Sequence, residues 1–252
     1  VLDREKHPVM GLELDNFRIW EEGQPQEPRR FEKVTNLPIH AGILLDVSAS
    51  MEDKLATALK AALGFLEEAV TPKDRATIIT FNDHPNLAVK FTNDMPSLAS
   101  GLAGLRAERG TALYDSIIFS LYYFNGIKGQ RALILLSDGD DQHSRFLWED
   151  AIEYARRAGV AIYSIGLTLG KKGGNAKKKL VKLAEETGGR AFFIKDVDQL
   201  ADVYRIIQEE LRSRYFVAYQ STNTADDLAF RSVRVEVDEA GLEAKTIQGY
   251  YP

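Results

Sequence analysis

The run Ile39-His40-Ala41-Gly42-Ile43-Leu44-Leu45-Asp46 is apolar almost without interruption and stops abruptly on an acid. Val47-Ser48-Ala49-Ser50-Met51 follows at once, with two hydroxyls at alternate positions, and then a helical pattern begins. An apolar run this short, bounded in this way, is a strand buried on both faces. Such strands are at home in parallel sheets covered by helices above and below, so this stretch points to an α/β arrangement that the rest of the chain has to bear out. Asp46 then stands at the carboxyl edge of the sheet. Parallel sheets bind ligands at that edge, because its loops have no packing role and helix N-termini direct amides outward there.

One carboxylate and two hydroxyls on a tight turn offer only oxygen, with no imidazole or thiolate. That donor set suits a hard cation such as magnesium or manganese and disfavours zinc and copper. Asp and Ser also commonly cap a following helix, and from this stretch alone both readings stand.

Two later stretches bear on the choice. Arg109-Gly110-Thr111-Ala112-Leu113-Tyr114-Asp115 sets a hydroxyl after a glycine at the start of a helix, and Ala132-Leu133-Ile134-Leu135-Leu136-Ser137-Asp138-Gly139-Asp140 is a second apolar strand ending on an acid. Together the three segments resemble the metal-ion-dependent adhesion site of von Willebrand factor type A domains, whose pattern is D-x-S-x-S, a threonine in a G-T-x-L context and an aspartate in a D-G turn. Asp46, Ser48, Ser50, Thr111 and Asp138 match its five positions. Arg109 departs from the pattern, standing where these domains usually have a second glycine and bringing a positive group to that loop.

Composition removes other classes. The 252 residues are 44% apolar, enough for one large α/β domain or a medium one with an appendage. Lys and Arg number 32 against 37 Asp and Glu, a net charge of −5 with nothing suited to nucleic acid. One basic cluster, Lys171, Lys172 and Lys177 to Lys179 around Gly173-Gly174, reads as a solvated loop running into an exposed helix face. Cysteine is absent, which excludes disulfides and thiolate sites. No apolar run approaches the ~20 residues that span a bilayer, so no transmembrane segment is expected. The first residue is Val1 rather than methionine, and export to the periplasm or beyond, with a signal removed, is the expected location.

Leu55, Leu59, Ala62, Leu63, Leu66 and Val70 share a helical face that Pro72 ends. Strands at 76–81 and 87–91 form a hairpin at a sheet edge; helices at 95–105, 112–124, 147–158 and 180–187 alternate with strands at 132–136, 160–165 and 190–194. Asp196-x-x-Gln199 opens a last helix carrying Leu200, Val203, Tyr204, Ile207 and Leu211. This alternation predicts a doubly wound, mostly parallel, Rossmann-like sheet over 39–212. Strand-like segments at 16–20, 30–34, 215–219, 232–237 and 245–251 predict a small β annex built from both termini, 1–38 and 213–252. It lies at the pole away from Asp46, since the chain enters its first central strand and leaves its last helix at that end.

The Leu14-Asp15-Asn16-Phe17-x-x-Trp20-Glu21-Glu22-Gly23 opening and the Gly249-Tyr250-Tyr251 close are similar to a bacterial group of von Willebrand factor A-related proteins, many of them exported. The resemblance implies a protein-binding, adhesion-type module and not an enzyme. In it Ser48 and Ser50 hold magnesium, with manganese or calcium as substitutes, Asp46 and Asp138 act directly or through water, and Thr111 joins in the ligand-bound form. An acidic side chain of a protein partner completes the coordination, drawn by an ion whose charge neutral hydroxyls leave under-compensated.

The rival from another class is a haloacid-dehalogenase-like magnesium phosphotransferase using Asp46, with Gly139-Asp140-Asp141 as its later acidic motif. Against it, Ser48 occupies the place of that family's general acid aspartate, and no lysine stands in an equivalent context. No Gly-x-Ser-x-Gly elbow supports a serine hydrolase. His7, His40, His84 and His143 lack ligand spacing, and Asp140 and Asp141 read as solvent-facing loop charges.

Overall fold

The computed structural model describes residues 1–34, 37–138, 141–167 and 174–252. In chain order its strands are β1 (Phe17–Glu21), β2 (Gln24–Gln26), β3 (Pro28–Val34), β4 (Ile39–Asp46), β5 (Arg75–Phe81), β6 (Pro85–Thr92), β7 (Gln130–Ser137), β8 (Ala161–Leu167), β9 (Ala191–Ile194), β10 (Arg214–Tyr219), β11 (Arg231–Val237) and β12 (Gly249–Tyr250). The helices are α1 (Glu52–Ala69), α2 (Met95–Leu102), α3 (Leu113–Tyr123), α4 (Trp148–Ala158), α5 (Gly174–Glu186) and α6 (Leu200–Arg212).

The central sheet runs β6-β5-β4-β7-β8-β9 and is parallel except for the edge strand β6. Alternation along β4 divides the core. Ile43 and Leu45 join a cluster with α1, α2 and α6, while Leu44 joins one with α3, α4 and α5. Helices therefore cover both faces of a doubly wound α/β sheet, which is why β4 reads as a continuous apolar run rather than an alternating one. On the first face Phe65 of α1 stacks on Tyr204 of α6 with ring centroids 4.9 Å apart. The chain leaves β4 toward β5 and β6, then crosses back to β7 on the other side. Strand order reverses between β4 and β7, and a crevice opens at the carboxyl ends of strands where that happens.

The terminal strands pair with one another. β1 runs antiparallel to β11 and β2, β12 adds to β11, and β10 pairs with β3. The buried Glu21 carboxylate accepts hydrogen bonds from the Tyr219, Tyr250 and Ser221 hydroxyls, joining β1 to β10 and β12. β3 leads into β4 and β10 follows α6 directly. At that junction Asp74, just before β5, accepts from the Ile39 amide at 2.8 Å, from the Thr71 amide at 3.0 Å and from the Arg212 guanidinium.

Three local expectations need correction. The helix expected at 180–187 already runs from Gly174, so Lys177 and Lys179 lie on α5. Their ammonium groups sit over Phe193 (5.7 Å) and over Tyr114 (4.9 Å) and Trp148, half-buried rather than solvated. Aromatic faces attract a cation whose aliphatic stem also packs against them; Lys171, Lys172 and Gly173 lie outside the described residues. Of 245–251 only Gly249–Tyr250 forms a strand, because the preceding residues pass α5, with Ile247 bridging Thr187. The helix expected to reach 105 ends at Leu102, where Ala103 turns extended and Gly104 takes a positive φ.

Candidate functional site

Beyond Asp46 the chain folds back on itself. The Asp46 carboxylate accepts the Ser48 amide at 2.9 Å, and a 3-10 turn at Ala49–Met51 leads straight into α1. Neither the turn nor α1 has a side-chain cap. The Ser48 and Ser50 hydroxyls lie 3.2 Å apart, and Ser50 donates to Asp138 Oδ1 at 2.7 Å across the gap between β4 and β7. This geometry decides against the capping reading of Ser48. Asp46 is wholly buried and accepts a second hydrogen bond from Ser137 Oγ at 2.6 Å. Burial pushes its carboxyl above the ordinary aspartate range; hydrogen bonds from Ser137 and Ser48 oppose the rise, and the nearby Asp138 charge adds to it.

Backbone hydrogen bonds bring in Thr111. The Glu108 amide donates to the Val47 carbonyl at 2.9 Å and the Ala49 amide to the Arg109 carbonyl at 3.1 Å, closing this loop onto the Ser48 turn. The Thr111 carbonyl accepts from the Gln142 and His143 amides at 2.8 and 3.0 Å, so the third segment is tied in as well. Thr111 itself is buried. Arg109 takes φ 67, the left-handed region glycine adopts at no cost, which accounts physically for the glycine usual at this position. Its guanidinium turns to Asp83 at 3.4 Å.

Two participants were not evident in the sequence. Lys54, one turn into α1, donates to the Ser50 carbonyl at 3.0 Å and to Asp138, so the acid that would face a metal ion already faces a cation. Ser137 counted only as the end of an apolar strand, yet it anchors Asp46. Asp141 is no solvent-facing charge: its Oδ1 accepts the Leu113 and Tyr114 amides at 2.7 and 3.3 Å and fixes the start of α3. Gly139 and Asp140 lie outside the described residues. Both Asp46 oxygens are hydrogen-bonded inside the fold, and Asp141 is engaged by α3.

The residues fit a hard divalent cation. Their donors are all oxygen, the two serine hydroxyls are free of capping duty, and the ammonium on Asp138 marks a place where positive charge is stabilised. Among the described residues no cluster of three or more His, Cys, Asp or Glu suited to a metal forms anywhere, and no helix is long and apolar enough to cross a membrane.

The family model for the von Willebrand factor type A domain matches residues 42–206. Human integrin alpha-X is 24% identical over 213 residues, covering 80% of this chain, which spans only 18% of that relative's length. Among solved structures, the vWF domain of the type V pili tip protein Mfa5 from Porphyromonas gingivalis aligns with a TM-score of 0.60 at 15% identity, over 69% of this chain and 95% of that one. A von Willebrand factor type A structure from Catenulispora acidiphila aligns with a TM-score of 0.63 at 17% identity, over 84% of this chain and 48% of that one. At these identities the structural likeness is one of fold.

Proposed function

Because this chain belongs to the von Willebrand factor type A domain family, whose members serve as protein-interaction and adhesion modules, we propose that it binds a protein partner through a metal ion held by Asp46, Ser48, Ser50, Thr111 and Asp138. The observation that carries the reading is the pair of hydroxyls with no capping role: Ser48 faces Ser50, and Ser50 donates to Asp138 instead of either meeting helix amides. When bound, magnesium or a similar divalent ion supplies a coordination position for an acidic side chain of the partner. Ser48 and Ser50 contribute neutral oxygen, and Asp46 and Asp138 act directly or through water, so the ion's charge is under-compensated where it faces the partner and an acidic side chain is attracted to it. Backbone hydrogen bonds hold Thr111 between the other two segments, and it joins the ion in the ligand-bound form. Residues 1–38 and 213–252 form an annex distinct from 39–212 and away from the site, a division supported by the limits of the family match. An exported setting accords with the pilus tip protein among the structural likenesses.

Calorimetric titration with magnesium is expected to give one site per chain, and capture of a partner from native extract is expected to disappear on chelation. A flat titration overturns the reading. Lys54→Met, which removes the tethered cation from Asp138, is expected to raise magnesium affinity about three- to tenfold in the same titration, the scale of a partly exposed ion pair. Thr111→Ala is expected to cost ~1–3 kcal/mol of partner affinity, roughly five- to a hundredfold, while magnesium affinity changes little. Equal losses of metal and partner would place Thr111 in the resting site instead.

A further inference from the structure

Between the terminal sheets and the central domain lies a cavity of about 610 Å³, within the size range of small-molecule sites. Phe17 and Ile19 of β1, Val233 and Val235 of β11 and Val217 of β10 line it. Along β11 the pattern is regular: Ser232, Arg234 and Glu236 are exposed, whereas Val233, Val235 and Val237 point the other way and are still only half-buried. Two sheets packed face to face would bury those valines completely. Here Val233 and Val235 border open space.

The polar groups on the lining are almost all engaged. The Tyr215 hydroxyl donates to the Val9 carbonyl at 3.0 Å and the Tyr219 hydroxyl to Glu21 at 2.7 Å. Lys245 pairs with Glu243 at 2.6 Å and Glu210 with Arg190 at 2.7 Å. Arg214 is different. It donates to the Tyr163 hydroxyl at 3.0 Å, and among the described residues no carboxylate lies within ion-pair distance of its guanidinium; Glu210, which acts on the same hydroxyl, is committed to Arg190.

We propose that this cavity binds a monoacyl carboxylate, its apolar chain against the valines of β10 and β11 and its acid group on Arg214. A neutral apolar ligand would leave the guanidinium without a directly paired carboxylate, and a small polar anion would leave the apolar wall wet; a molecule with both parts satisfies both. The site draws on none of the residues around Asp46, so it stands or falls separately from the metal reading.

The test is calorimetric titration of the whole chain with dodecanoate below its micellar concentration, with dodecanol as the neutral analogue and chelator present throughout. Wild type is expected to bind one dodecanoate per chain. Arg214→Met is expected to weaken dodecanoate by about tenfold or more and dodecanol by less than about twofold, the scale of one charge-assisted hydrogen-bonded pair. Val235→Trp fills the cavity and abolishes both; Val217→Phe replaces it if thermal melting shows Val235→Trp unfolded. Absence of saturable dodecanoate binding, equal loss of acid and alcohol in Arg214→Met, or full binding by a folded, cavity-filled variant overturns the proposal. So does flotation with phosphatidylglycerol vesicles by a protein that ignores monomeric dodecanoate, which would make this face a membrane contact.

Discussion

Asp74→Ala is expected to remove about 3–5 kcal/mol of stability, a large part of what holds an ordinary domain together. Asp74 is 1% exposed and joins three places distant in sequence: the entry to β4 through the Ile39 amide, the turn before β5 through Thr71, and the end of α6 through Arg212. Alanine leaves a buried amide and a half-buried guanidinium without their acceptor, which costs more than the bonds themselves return. Urea unfolding measures the loss, and a variant within ~1 kcal/mol of wild type would show that water replaces the carboxylate. The same group sets an acid limit. Burial opposes its ionisation, but hydrogen bonds from Arg212, Thr71 and Ile39 outweigh that and hold the carboxyl at about 2. A depressed acid stabilises the fold above its unfolded value and loses that contribution as pH falls toward the folded one. Wild type should therefore lose roughly 2–3 kcal/mol between pH ~5 and ~1 from this site alone, and Asp74→Ala should show a flatter acid limb.

Asp46→Asn is expected to abolish magnesium-induced stabilisation while preserving the turn. The amide oxygen still accepts from Ser48, and the amide nitrogen faces the Ser137 oxygen, so little else changes. In wild type, magnesium at a hundredfold excess over Kd adds about 2.7 kcal/mol, which in a chain of this size is about 5–10 °C of Tm. The variant should show none of it. Without metal it should melt at or above wild type, because the Asp46 carboxyl is raised by burial: stability falls as pH climbs from the ordinary aspartate range toward the elevated value, and asparagine has no such dependence. Melting curves with magnesium and with chelator, at two pH values, separate these effects. A variant that keeps the magnesium shift would exclude Asp46 from the site.

What the sequence reveals here is what repeats locally. β4, β7 and β8 are mostly apolar runs rather than alternating ones because both of their faces are covered, and α1 and α6 carry their buried stripes at helical spacing. Asp46, Ser48 and Ser50 stand out for the same reason, as polar residues abruptly ending such a run. Lys54 does not, since a lysine early in an amphipathic helix looks like surface until Asp138, far along the chain, is folded against it. Asp141 looked solvent-facing because its partners are backbone amides of Leu113 and Tyr114, which leave no mark in composition. The half-open space lined by Val217, Val233 and Val235 was equally hidden: alternation predicts which way a valine points, not whether anything meets it there.

β4 has one more property, and it is mechanical. Its first residue, Ile39, is fastened by Asp74, and its last, Asp46, begins the turn that carries Ser48 and Ser50. Tension applied at that turn and resisted at the opposite end is aligned with the strand, which is in register with β5 over His40 to Asp46 and with β7 over Ile39 to Leu45. Loaded along its axis, β4 can slip only if both hydrogen-bonded ladders shear together, whereas an edge strand pulled sideways would open one bond at a time. A handle at Asp46 therefore pulls on a strand held by two ladders, and the load passes along β4 to Asp74 and, through Arg212, to the end of α6.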